Sequence, residues 1–135
     1  MKDLADQILT LSLQLVADTK TEDEFKKTIG LANIADTYGP MLLNFSQEGQ
    51  YYFDKYNVFH GKGFFDVSNG LLKRVEIEFL DENLFKKVRE LSLATEGFSK
   101  STPFTVAAMH TVLDGKIIKI DFWSQGNTIC FTLQE

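Results

Sequence analysis

The chain has 135 residues, enough for one domain that buries roughly two-thirds of the surface its unfolded form exposes. Apolar residues make up 44%, with 12 Phe among them, which excludes a disordered chain. Nineteen acids against 14 bases leave a net charge of −5, which disfavours nucleic acid as a direct partner, and the single cysteine, Cys130, excludes an internal disulfide.

In chain order, the first element predicted is a helix. Leu4, Ile8, Leu11 and Leu15 recur at helical spacing, with Leu9, Leu13 and Val16 as a second stripe beside them. Asp18-Thr19-Lys20 ends it. Thr21-Glu22-Asp23-Glu24 reads as a capping box whose three acids suit the positive end of a helix dipole. The second helix then buries Phe25, Ile29 and Ala32, with Tyr38-Gly39-Pro40 as its stop. The short connection predicts a helical hairpin. Ile8 to Ala17 is interrupted by Thr10, Ser12 and Gln14, so neither a secretory signal nor a membrane helix is expected, and the expected location is cytoplasmic.

The middle of the chain changes character. Gln50 to Phe59 is dense in Tyr and Phe, as strands are. His60-Gly61-Lys62-Gly63 reads as a turn, Phe64 to Val67 as a short strand, and Ser68-Asn69-Gly70 as a second turn. Lys73 to Phe79 alternates, with Val75, Ile77 and Phe79 on one side and Arg74, Glu76 and Glu78 on the other. Asp81 caps a third helix that buries Leu84, Val88 and Leu91 and ends at Gly97. Ser99 to Pro103 reads as a polar loop.

Three strands close the chain, over Phe104 to Leu113, Lys116 to Trp123 and Thr128 to Leu133. Asp114-Gly115 is a two-residue hairpin signal that fixes the register of the first two. Leu113 then faces Lys116, His110 faces Lys119, Ala108 faces Asp121 and Val106 faces Trp123. The expected fold is a single α+β domain over 1–135: two N-terminal helices, a strand-rich middle, one further helix and a C-terminal three-stranded antiparallel meander in a curved sheet.

The register divides the meander into two faces. Ala107, Met109, Ile118, Ile120, Phe122, Ile129, Phe131 and Leu133 form a core face. The other carries His110, Lys119, Asp121, Trp123, Cys130 and Thr132, with Val106, Val112 and Ile117 among them. Such a mixed face suits a ligand cavity, a protein-binding patch with an aromatic anchor, or a surface covered by the Tyr-rich middle segment. His110 and Asp121 are near-diagonal neighbours there, an arrangement that general acid–base chemistry uses, while Lys119 opposite His110 works against it. No motif places a nucleophile, so no catalytic residue is assigned.

Other chemistry-bearing residues are scattered. His60-Gly61-Lys62-Gly63 lacks the spacing of a phosphate loop. Two His residues and one Cys give no zinc spacing, and no cofactor or metal is expected. Asn44-Phe45-Ser46 matches a glycosylation sequon. In the aromatic group Tyr51, Tyr52, Phe53, Tyr56 and Phe59, the Phe residues are expected in the core and one or two Tyr at the surface.

The tail from Thr105 to Leu133, with Asp114-Gly115-Lys116-Ile117 at its turn, resembles the end of the cone-shaped nuclear transport factor and ketosteroid isomerase-like fold. There, long antiparallel strands wrap a pocket. The resemblance covers about a fifth of the chain, carries no catalytic residue across, and implies a pocket on the His110, Asp121 and Trp123 face. Acidity, small size and the lack of a catalytic motif point instead to a non-enzymatic binder, such as an immunity or inhibitor protein that neutralises a basic toxin, for example a nuclease. The candidate partner-binding residues are Asp18, Glu22, Asp23, Tyr56, Glu76, Glu78, His110, Lys119, Asp121 and Trp123.

Overall fold

The structure is a computed structural model that describes residues 3–18, 21–40, 48–66, 68–94, 99–102, 105–123 and 125–134. Thr19, Lys20, the sequon Asn44-Phe45-Ser46, Val67, Gly97, Pro103 and Phe104 lie outside the described residues, as do the side chains of Val106 and Ala107.

Three helices lie along one face of an antiparallel sheet, in a mixed α+β fold. The helices are α1 (Leu4–Ala17), α2 (Glu22–Ala32) and α3 (Glu82–Ala94). The strands are β1 (Thr37–Pro40), β2 (Glu48–Lys55), β3 (Phe59–Asp66), β4 (Leu72–Phe79), β5 (Ser99–Thr102), β6 (Thr105–Leu113), β7 (Lys116–Trp123) and β8 (Thr128–Gln134). Their order across the sheet is β1-β2-β3-β4-β8-β7-β6-β5. Two four-stranded meanders are therefore joined by the antiparallel ladder between β4 and β8, in which Val75 faces Phe131 and Ile77 faces Ile129. The helix α1 packs across this seam, against β4, β8, β7 and β6, and α3 packs on α1 and β4.

Local chemistry explains the elements. Asp3 caps α1 by accepting the N–H of Asp6. At the other end of α1, the Lys116 ammonium donates to the Ala17 carbonyl, placing a cation at the negative end of the helix dipole. The capping box of α2 forms as expected: Thr21 Oγ1 accepts the Glu24 N–H, and Glu24 Oε1 accepts the Thr21 N–H at 3.1 Å. That helix ends earlier than the Tyr38-Gly39-Pro40 stop. Asn33 takes a left-handed conformation (φ 55°) after Ala32, and Thr37–Pro40 becomes the edge strand β1. Asp81 Oδ1 accepts the Asn83 N–H at 3.0 Å at the start of α3, which buries Phe85, Val88 and Ser92. Leu84 and Leu91 are half-buried.

The structure corrects two further expectations. His60-Gly61-Lys62-Gly63 is not a turn; it lies within β3, and the turn falls at Tyr56-Asn57-Val58, where Asn57 is left-handed (φ 59°). Gly61 and Gly63 stay in the strand because aromatic rings lie directly on them. A Cβ on Gly61 would sit 2.6 Å from the Phe53 ring, and one on Gly63 would sit 2.7 Å from the Phe25 ring. Phe25, from α2, thereby reaches the sheet and meets Tyr51, Phe53 and Phe65 edge-on at centroid distances of 5.5, 5.8 and 5.3 Å. Ser99–Thr102 is likewise no loop. It pairs with β6 as the edge strand β5.

The meander follows the predicted register, with Leu113 opposite Lys116, His110 opposite Lys119 and Ala108 opposite Asp121. Asp114 (φ 52°) and Gly115 (φ 77°) both take the left-handed conformation that a tight hairpin turn needs. Met109, Ile118, Ile120, Phe122, Ile129 and Phe131 are buried under the helices. No helix among the described residues is long and apolar enough to cross a membrane.

Gly61→Ala is expected to lower stability by about 1–3 kcal/mol, because ring and backbone atoms must both give way. Gly49→Ala should be close to neutral, since its nearest neighbour, Phe65 Cβ, is 3.9 Å away. Urea denaturation midpoints of the two variants would check both.

Candidate functional site

Strand register arranges the sheet face opposite the helices into rows that run across the strands. One row contains Asp54, His60, Glu78, Thr128 and Trp123, on β2, β3, β4, β8 and β7. The next contains Tyr52, Lys62, Glu76, Cys130, Asp121 and Ala108. A third contains Phe64, Arg74, Thr132, Lys119 and His110. Ile117, opposite both Val112 and Gln134, continues the face beyond Lys119.

Two charge pairs repeat along the strands. Arg74 Nη2 lies 3.9 Å from Glu76 Oε2 on β4, and Lys119 Nζ lies 3.7 Å from Asp121 Oδ1 on β7. In each pair the base precedes the acid by two residues. The bases therefore occupy one row and the acids its neighbour, with β8 between the two strands. The Arg74 guanidinium also stacks over the Phe64 ring at 4.1 Å, which explains an aromatic buried on the solvent side of the sheet. Across the outer row, His60 Nδ1 lies 3.3 Å from Asp54 Oδ2, with Glu78 on its other flank.

Of the residues singled out from sequence, Glu76, Glu78, His110, Lys119, Asp121 and Trp123 share this face. Trp123 is 46% exposed and Ile117 47% exposed, while Glu76, His110, Lys119 and Asp121 are half-buried. Tyr56 stands 80% exposed in the β2–β3 turn, just beyond Asp54, with its N–H donating to Asp36 Oδ2 at 3.0 Å. Asp18, Glu22 and Asp23 belong elsewhere. They sit at the end of α1 and the start of α2, in the helical layer on the opposite side of the sheet. Glu22 there pairs with Lys26 at 3.5 Å within its own helix.

The Tyr-rich middle segment does not cover the mixed face. Its strands, β2 and β3, extend the sheet sideways. The register keeps His110 diagonal to Asp121, as expected, and Asp121 also has Lys119 on its own strand as an ion partner at 3.7 Å. Cys130 is 3% exposed, and burial pushes its thiol up to about 11, with Glu76 and Asp121 adding to the rise. It is thus a protonated thiol at neutral pH and a weak nucleophile. Sequence reasoning missed Asp54, His60 and Lys62, which belong to this face. Their signal, alternation through Phe59–Asp66, was masked by the two glycines.

No known protein family, curated protein or solved structure matches the chain.

The raised Cys130 pKa has a stability consequence of definite sign. The native thiol stays neutral above the ordinary value of 9.0 while the unfolded thiol ionises, so its contribution is complete below pH 9 and is lost as pH rises toward about 11. Wild type should lose up to about 1.4 kcal/mol per pH unit more than Cys130→Ala across that window. Denaturant titrations of both proteins at pH 8 and pH 10.5 would measure the difference.

Proposed function

We propose that this chain is a non-enzymatic binding domain that docks a basic protein through the open face of its sheet, in the manner of an immunity or inhibitor protein that neutralises a basic toxin such as a nuclease. The observation that carries this reading is the outer row of that face. Asp54 and Glu78, with Glu76 and Asp121 one row in, lie between two exposed aromatics, Trp123 and Tyr56; Asp54, Glu76 and Asp121 each have a base within 4 Å (His60, Arg74 and Lys119), so the exposed Glu78 is the acid that supports the reading most. From β2 to β7 the row spans four strand spacings, about 19 Å, a width suited to one side of a protein interface. An aromatic anchor beside acids is the arrangement expected of a surface that meets lysines and arginines, since Trp and Tyr supply packing area and cation–π faces.

The acids of the helical layer support this reading less than their number suggests. Glu24 is engaged by Thr21 and Glu22 by Lys26, so much of that charge serves α2 itself. Long-range attraction of a basic partner by the net charge of −5 remains, and it accelerates encounter more than it tightens the complex.

A pull-down from cells that express the chain would test the proposal, with wild type, Trp123→Ala, Glu78→Lys and Glu22→Lys as parallel baits. Wild type and Glu22→Lys should retain the same basic protein, while Trp123→Ala and Glu78→Lys lose most of it. Loss of Trp123 should cost about 2 kcal/mol or more, roughly 30-fold in Kd. Retention should weaken steeply as salt rises. Equal capture by all four baits, or capture indifferent to salt, would sink the proposal.

A further inference from the structure

We propose that the open sheet face is also self-complementary, and that in the absence of another partner two copies of this chain pair through it. The inference rests on the reading of this face as a docking surface and names a second copy as an occupant.

Strand β7 carries the pattern. Its open-face residues are, in order, Ile117, Lys119, Asp121 and Trp123: apolar, base, acid, apolar. Read backwards against itself, that series matches at every position. Ile117 meets Trp123, and Lys119 meets Asp121. Such reversal is what a two-fold axis performs when it lies between two facing sheets and runs across the strands, between the base row and the acid row. Closed pairs of identical chains are built on this symmetry, and each contact then occurs twice.

The same axis matches the rest of the centre. On β4, Arg74 occupies the base row and Glu76 the acid row, so each meets the other's counterpart in the second copy. On β8, between them, Cys130 meets Thr132, a neutral pair. Four cross-copy ion pairs therefore surround a neutral strip, and two Ile–Trp contacts flank them. The pairs within one copy, at 3.7 and 3.9 Å, are longer than the roughly 2.7–2.9 Å of a close charge-assisted hydrogen bond. Enclosure between two sheets would strengthen the attraction across the interface relative to open solvent.

Size and shape agree. Eight strands at about 4.8 Å each, with about eight residues at 3.3 Å in the longer ones, present on the order of 1,000 Å² on one face. Each partner of a standard complex buries about 800 Å². Twisted sheets stacked face to face cross at roughly 30°, with β4, β8 and β7 near the centre of the contact and the flanking strands supplying the rest of its area.

Light scattering coupled to size exclusion, over a micromolar to millimolar concentration series at low salt, tests the proposal. Wild type should move from the mass of one chain to twice that mass and no further. Lys119→Asp leaves only acids at the two central β7 positions, and Asp121→Lys leaves only bases. Each variant alone should dissociate about a hundredfold more readily, because the like-charge contact occurs twice. An equimolar mixture of the two should pair again. The exchange of both residues in one chain, Lys119→Asp with Asp121→Lys, reverses the order but keeps self-complementarity, and should pair like wild type. Circular dichroism on each variant confirms that the fold is intact, and the double exchange covers the case in which a single variant is unfolded. Wild type that stays at one chain mass throughout would overturn the inference. So would single variants that pair as tightly as wild type, which is the outcome expected if an edge strand, β1 or β5, joins the copies. Partner capture is read separately. A monomeric wild type whose basic partner is still lost on Trp123→Ala would overturn self-pairing alone. A dimer whose partner capture ignores Trp123 and Glu78 would overturn the partner reading alone.

Discussion

The ladder between β4 and β8 is the constraint on which the molecule depends. It joins two four-stranded meanders into one eight-stranded sheet. With it, the buried residues Val75, Ile77, Ile129 and Phe131 form one continuous strip under α1. Leu15 and Val16, both fully buried, belong to the same core. The three helices lie on one side of the sheet, and among the described residues no helix lies on the other. Burial on one face and recognition on the other follow from a single pairing.

The parts of this arrangement that are local in sequence were legible in it. The Thr21–Glu24 capping box, the Asp114-Gly115 hairpin and the alternation through Val75, Ile77 and Phe79 each carry their signal within a few residues. From the hairpin alone, the register of His110, Lys119 and Asp121 followed correctly. The parts that depend on contacts between distant residues were not legible. Gly61 and Gly63 look like turn residues until Phe25 and Phe53 are placed on top of them. The edge strands β1 and β5 are only four residues long, too short for a periodic pattern to show. The β4–β8 ladder joins segments about 50 residues apart, and nothing within either strand names its partner.

The candidate surface was half legible for the same reason. Sequence placed Lys119, Asp121 and Trp123 on one face because they alternate along a single strand, β7. It could not unite them with Glu76 and Glu78, which join that face only through β8, nor separate them from Asp18, Glu22 and Asp23, which lie in the helical layer. Net charge was a coarse guide. On the open face acids and bases nearly balance; on β4 and β7 they fall into neighbouring rows, while Lys62 lies among the acids, opposite Glu76.

The strand order also has a consequence for the newborn chain. The last described strand in sequence, β8, is inserted at the centre of the sheet. During synthesis from the N-terminus, the β1–β4 meander emerges with the far edge of β4 unpaired, and Val75, Ile77 and Phe79 lie along that open edge. It stays open until β8 is delivered, and an unpaired apolar edge is a template for joining other chains. Loss of Thr128–Gln134 would therefore leave a gap in the middle of the sheet, between β4 and β7.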